Sequence, residues 1–195
     1  METFTKRQQE IINAAIKLIS EKGIQQLTIK NLSGEIGIAE GGIYRHFKSK
    51  IDILLAILVS FENRIGAVAK KLESTDNSDA LTKLETTFDE AFKNFKANPV
   101  LAAVIFSEEI FQNDKRLSNK VFGIMKQNQE TIQSIIKSGQ QSQCIRSDIS
   151  NIQLALIIMG ALRLMVTQWR LSGFAFDLES EGRQLWSSIR RILAD

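Results

Sequence analysis

The sequence predicts an all-α protein. Apolar residues recur at three-and-four spacing along nearly the whole chain, and runs of alternating apolar and polar residues are missing. The chain has a single proline, Pro99, and several of its 11 glycines fall where helices would stop. With 195 residues, 44% apolar and 24% charged, it has the composition of a globular protein, which excludes a disordered, collagenous or low-complexity chain.

The first helix is predicted over about residues 6–22, with Ile11, Ile12, Ala15, Leu18 and Ile19 on one face and Gly23 as its stop. A short second helix follows over about residues 29–36, capped by Thr28, with Ile29, Leu32 and Ile36 inward. Gly37 makes a turn into a third helix over about residues 40–47. Ser49 and Asp52 have the spacing of a capping box, with Asp in place of Glu or Gln. They open a long fourth helix carrying Ile51, Leu54, Leu55, Leu58 and Phe61. Residues 74–79 are polar and read as a loop. The next helix runs to about residue 96, with Leu81, Leu84, Phe88, Phe92 and Phe95 on one stripe. Asn98-Pro99 breaks it, and Pro99 starts a helix to about residue 111. A long helix over about residues 116–138 precedes a polar loop at 139–147. Residues 152–171 are apolar on almost every side, Ser172-Gly173 ends that helix, and a last helix spans about residues 178–193.

Charge and rare residue types narrow the function. The net charge is +3, from 25 basic and 22 acidic side chains, which alone does not announce a nucleic-acid partner. One cysteine, Cys144, excludes an internal disulfide and a Cys-rich metal site and fits a reducing compartment. One histidine, His46, excludes His-His metal sites, and no metal or other cofactor is expected. The chain has no Gly-rich phosphate motif, no HExxH and no cysteine-histidine pair, so an enzyme is not expected. The first nine residues are polar, unlike a signal peptide. The longest uncharged apolar stretch, between Asp148 and Arg163, is shorter than the roughly 20 residues of a membrane span. A cytoplasmic protein with no membrane partner is therefore expected.

Short helix, glycine turn, short helix is the helix-turn-helix pattern. Ile36, Ile38 and Ile43 fit the wedge between the two helices, and Tyr44, Arg45 and His46 have the reach for base edges and phosphates. Lys48 and Lys50 follow at the start of helix four, whose free N–H groups favour a phosphate oxygen. The first 56 residues hold eight basic and six acidic side chains, so affinity for DNA must come from local placement.

Residues 27–55, LTIKNLSGEIGIAEGGIYRHFKSKIDILL, resemble the DNA-binding region of the TetR/AcrR repressors. The resemblance is carried by Gly37-Ile38, Ile43-Tyr44-Arg45-His46-Phe47, Ser49-Lys50 and Leu54-Leu55. It implies a three-helix DNA-binding domain over 1–50 and a helical ligand-binding and dimerisation domain over 51–195. It places Tyr44, His46 and Lys50 at phosphates, Thr28 at a backbone contact, and Lys30 and Glu40 where some members reach bases. Two residues depart from the family's pattern: Ala39 stands where Ser often caps helix three, and Gly42 stands at a contact position where Thr or Ser often binds phosphate. The implied function is a homodimeric regulator of double-stranded DNA, a repressor released from a near-palindromic operator by a small molecule. The alternatives are an activator and a ligand-independent or architectural DNA binder.

The C-terminal part supplies large soft side chains. Phe88, Phe92, Phe95, Phe106, Phe111, Phe122, Met125, Met159 and Trp169 are candidates to line a cavity for an apolar or aromatic effector. Arg163, interrupting an apolar helix, is a candidate to pair with Glu108 or Glu109, to lie at the surface, or to meet an anionic ligand. A helix apolar around its circumference can hide only one face in its own small domain. Leu156, Gly160 and Leu164, with Leu185, Trp186 and Ile189 of the last helix, are therefore expected in a two-fold four-helix dimer interface.

Overall fold

The structure, a computed structural model, describes residues 4–73, 79–106 and 114–194, without the side chains of 64, 65 and 67–73. The expected lining residue Phe111 and the expected Arg163 partners Glu108 and Glu109 lie outside the described residues. Among the described residues there are nine α-helices and no strand: α1 Lys6–Lys22, α2 Ile29–Ile36, α3 Glu40–Tyr44, α4 Lys50–Glu73, α5 Ala80–Ala97, α6 Pro99–Ile105, α7 Lys115–Gln141, α8 Asn151–Leu171 and α9 Leu178–Leu193. A short 3-10 turn, Ile24–Gln26, links α1 to α2.

Local chemistry accounts for these bounds. Thr5 and Gln8 form a reciprocal capping box at the start of α1. Thr28 caps α2 by accepting from the Asn31 N–H at 3.1 Å. Asp79, Ser150 and Asp177 cap α5, α8 and α9 in the same way. Gly37, at φ 75, turns the chain out of α2 in the left-handed region where a side chain is strained.

Two helix ends differ from expectation. Helix α3 stops at Tyr44 instead of Phe47, because the N–H groups of His46 and Phe47 both donate to the Ile43 carbonyl and close a tight turn. Helix α7 runs on to Gln141, past the predicted end at about residue 138 and into the expected loop. Gly139 is there for space: a Cβ would lie 2.5 Å from Ile145 Cδ1 and 2.9 Å from Ala80 Cβ.

The chain divides into two compact units. The first is Met1–Arg64 with Pro99–Phe122, so α6 and the start of α7 join the N-terminal helices. Here α1 packs on α2 and on α6, and α2 on α3. Ile11, Ile12, Leu18, Leu32, Ile43, Ile57 and Leu58 are sealed from solvent. Lys17 of α1 reaches Glu35 of α2 at 2.6 Å, which holds the Glu35 carboxyl below, and the Lys17 ammonium above, its ordinary value.

The second unit is Ile65–Asn98 with Gly123–Asp195. In it α5 packs on α9, and α8 on both. Phe92 lies so close to Gly182 that a Cβ there would meet its ring, and Phe88 stands edge-on to Phe92 with centroids 4.9 Å apart. Helix α8 is 21 residues long and, by length and composition alone, apolar enough to cross a membrane, which the uncharged stretch ending before Arg163 did not reveal. Its buried side, Leu154, Ala155, Ile158, Val166 and Trp169, belongs to the unit's own core.

Candidate nucleic-acid interface

Helix α3 is fastened by Ile43 and by Phe47 just beyond it, both buried. That leaves Glu40, Gly41, Tyr44 and Arg45 outward, with Tyr44 51% exposed despite its large ring. Ala39 provides no side-chain cap, as its methyl group dictates. Gly42 is half-buried, and a Cβ there would press on Ile38 Cδ1 at 3.2 Å, so this position offers only backbone to a ligand.

The remaining expected contact residues flank α3. His46 is half-buried in the turn after it. Lys48 is exposed, and Lys50 is the exposed first residue of α4. Thr28 spends an oxygen lone pair on capping α2 and keeps its O–H as a donor. Lys30 is exposed on the first turn of α2. The first unit therefore presents exposed donors on and beside α3: three lysines, an arginine, a phenol and a hydroxyl. This set matches the phosphate oxygens and acceptor-rich base edges of duplex DNA.

Sequence reasoning missed one feature close by. Asp52, in the first turn of α4, is held by Arg116 at 3.0 Å, and Arg116 is also held by Asp114 at 2.9 Å. The Asp114 carboxyl is pushed below its ordinary range by the Arg116 guanidinium. Lys120 and Glu62 form a second ion pair between α7 and α4. These partners lie 64 and 58 residues apart, and no local spacing signals such a pairing. The Arg116 contact neutralises an acid two residues from Lys50.

The other expected residues fall in both units. Phe88 and Phe92 are buried against each other, and Phe88 also meets Trp186 at 5.6 Å. Trp169 is buried edge-on to Phe174 at 4.6 Å. Phe106 is half-buried and Phe122 is exposed in the first unit; in the second, Met159 is half-buried while Met125 and Arg163 are exposed. For the expected dimer face, Leu156, Gly160 and Leu164 of α8 are exposed and Leu185 is half-buried. Trp186 and Ile189 require correction: at 3% and 4% exposure they are core residues of their own unit, not outward ones. The inward stripe of α9 is Leu178, Gly182, Trp186, Ile189 and Leu193, and the indole fills the space beside Phe88.

An all-helical chain that holds out a short helix ringed by phosphate-seeking side chains belongs to the class of helix-turn-helix DNA-binding regulators. Comparison with known proteins makes this particular. Residues 11–57 match the model for bacterial regulatory proteins of the tetR family, and residues 61–191 match that for the C-terminal region of YsiA-like proteins. The fatty acid metabolism regulator protein of Bacillus subtilis is 27% identical over 171 residues, covering 87% of this chain and 86% of that one. A solved fatty acid degradation regulator, FadR from Bacillus halodurans, superposes with a TM-score of 0.82 at 22% identity, covering 97% of each chain. FadR from Bacillus subtilis, solved in complex with stearoyl-CoA, has a TM-score of 0.78 at 24% identity, covering 95% of this chain and 98% of that one. The chain belongs to the TetR family; it is a ligand-responsive, DNA-binding transcriptional regulator, in a family of regulators and not of enzymes.

Proposed function

We propose that this regulator is a repressor that binds a near-palindromic operator as a homodimer in the cytoplasm and leaves it on binding a long-chain fatty acyl-CoA. The observation that carries the reading is its likeness, along both matched regions, to regulators named for fatty acid metabolism, one of them solved with stearoyl-CoA. In this mechanism residues 1–50 read DNA and residues 51–195 bind effector and dimerise. Tyr44, His46, Lys48 and Lys50 take phosphate oxygens, Thr28 donates its hydroxyl to the DNA backbone, the Gly42 backbone lies against it, and Lys30, Glu40 and Arg45 face base edges. Two recognition helices then sit in successive major grooves, about 34 Å apart.

The dimer is supported by α8, whose exposed Ile152, Leu156, Ile157 and Leu164 form an apolar face that its own unit leaves uncovered. A second copy covers such a face without placing Arg163 in hydrocarbon, which costs about 2.5 kcal/mol or more at a bilayer centre. The effector must bind a DNA-incompetent arrangement better than the operator-bound one, since equal affinity shifts nothing. The test is a gel shift on duplexes that the protein itself selects from a random pool, with and without stearoyl-CoA. Release of the duplex is expected. Selection of a duplex whose affinity ignores saturating stearoyl-CoA removes the effector assignment, and selection of none removes the repressor.

A further inference from the structure

Three glycines of the N-terminal helices have an internal reason. Gly23 and Gly37 adopt positive φ, and Gly42 is held against Ile38. Gly41 has neither reason: its backbone is ordinary helix, and a Cβ there would meet nothing within 4 Å. It is the second residue of a five-residue helix, and no packing contact accounts for it; Gly34 and Gly66 are equally open, but only Gly41 lies on the outward side of α3. At about 100° per residue, Gly41 falls between Tyr44 on one side and Arg45 on the other, at the middle of the outward arc of α3. The outward side of the helix is thus bare between the Tyr44 and Arg45 side chains.

We propose that Gly41 sets the depth at which the recognition helix docks: its bare Cα lies against a base edge in the major groove and lets Tyr44 and Arg45 reach opposite walls together. The inference rests on the DNA-binding reading and adds a residue to it. A methyl group there would hold the α3 backbone off the duplex and loosen the contacts on both flanks at once. Because no cationic side chain is removed, the number of counterions released would stay the same.

The test uses duplexes selected by the wild-type protein from a random-sequence pool. Affinity is measured across a salt series for the wild type, Gly41→Ala and Gly41→Leu, and thermal unfolding is measured for each. Gly34→Ala, an exposed glycine of α2 whose added Cβ would also meet nothing, serves as the reference for helix stabilisation alone. The expected result for Gly41→Ala is a Tm raised by about 2 °C, like Gly34→Ala. Its affinity for the selected duplex should fall about tenfold, a loss of about 1.4 kcal/mol, with the salt slope unchanged. Gly41→Leu should bind more weakly still. A Gly41→Ala protein that binds the selected duplex like the wild type overturns the inference, and so does an affinity loss accompanied by a lower Tm. A wild-type protein that selects no duplex sinks the DNA-binding reading itself.

Discussion

At the scale of single residues, neighbouring positions with similar side chains do different work. Lys48 and Lys50 are both exposed, but Lys50 opens α4, beside an acid already neutralised by Arg116. Lys50→Ala should weaken binding to all duplexes about equally and reduce the salt slope by about one, as measured by fluorescence anisotropy between low and moderate salt. Gly182 plays a packing role, since the Phe92 ring lies where its side chain would be. Gly182→Ala should therefore destabilise the fold by roughly 1–3 kcal/mol, the usual cost of overpacking, seen as a lower urea midpoint. Neither glycine role is visible in a sequence, where Gly139 and Gly182 look like helix stops or fillers. What distinguishes them is which atom of a distant helix comes close.

At the scale of elements, the helices whose ends carry their own chemistry were legible. Observed α1, α2 and α9 coincide with the predicted spans, because Gly23 and Gly37 stop the first two and Asp177 caps the third. The far end of α3 was not legible: Arg45, His46 and Phe47 suit a helix as well as the turn they form. The face of α9 was misread for a related reason. Both Leu185 and Trp186 are apolar, and only the presence of Phe88 on α5 decides which of them turns inward. The cap of α5 can be tested by pH. Asp79 accepts the Thr82 N–H at 2.8 Å, and that bond holds its carboxyl below the ordinary range. A lowered folded value means the contribution is present above the unfolded carboxyl value of about 3.9 and fades as pH falls through the folded one. Asp79→Ala should cost about 1 kcal/mol at neutral pH, and the difference from wild type should shrink below pH 4 in urea unfolding.

At the scale of the whole molecule, the family was legible because its motif is contiguous: residues 27–55 hold α2, α3 and the start of α4, inside the matched region 11–57. The residues expected to line an effector cavity come from helices whose partners the chain order does not announce. Assembly is open to direct measurement. Leu156 and Leu164 are 64% and 59% exposed on one helix. Replacing both by glutamate should leave helicity intact and yield a monomer by light scattering, with operator affinity collapsing as the second head is lost. An unchanged molar mass would move the dimer face elsewhere.

The seating of α1 on α6 has a practical corollary for engineering. Exchanging the first 50 residues with those of a relative, to redirect a regulator to a new promoter, would set a foreign first helix on a native wall at residues 99–105. A graft that also carries residues 99–122 keeps both halves of that joint from one parent. In this chain the compact unit that carries the helix-turn-helix is built from two separate stretches of polypeptide, and recombination designed at a single crossover would cut through that unit.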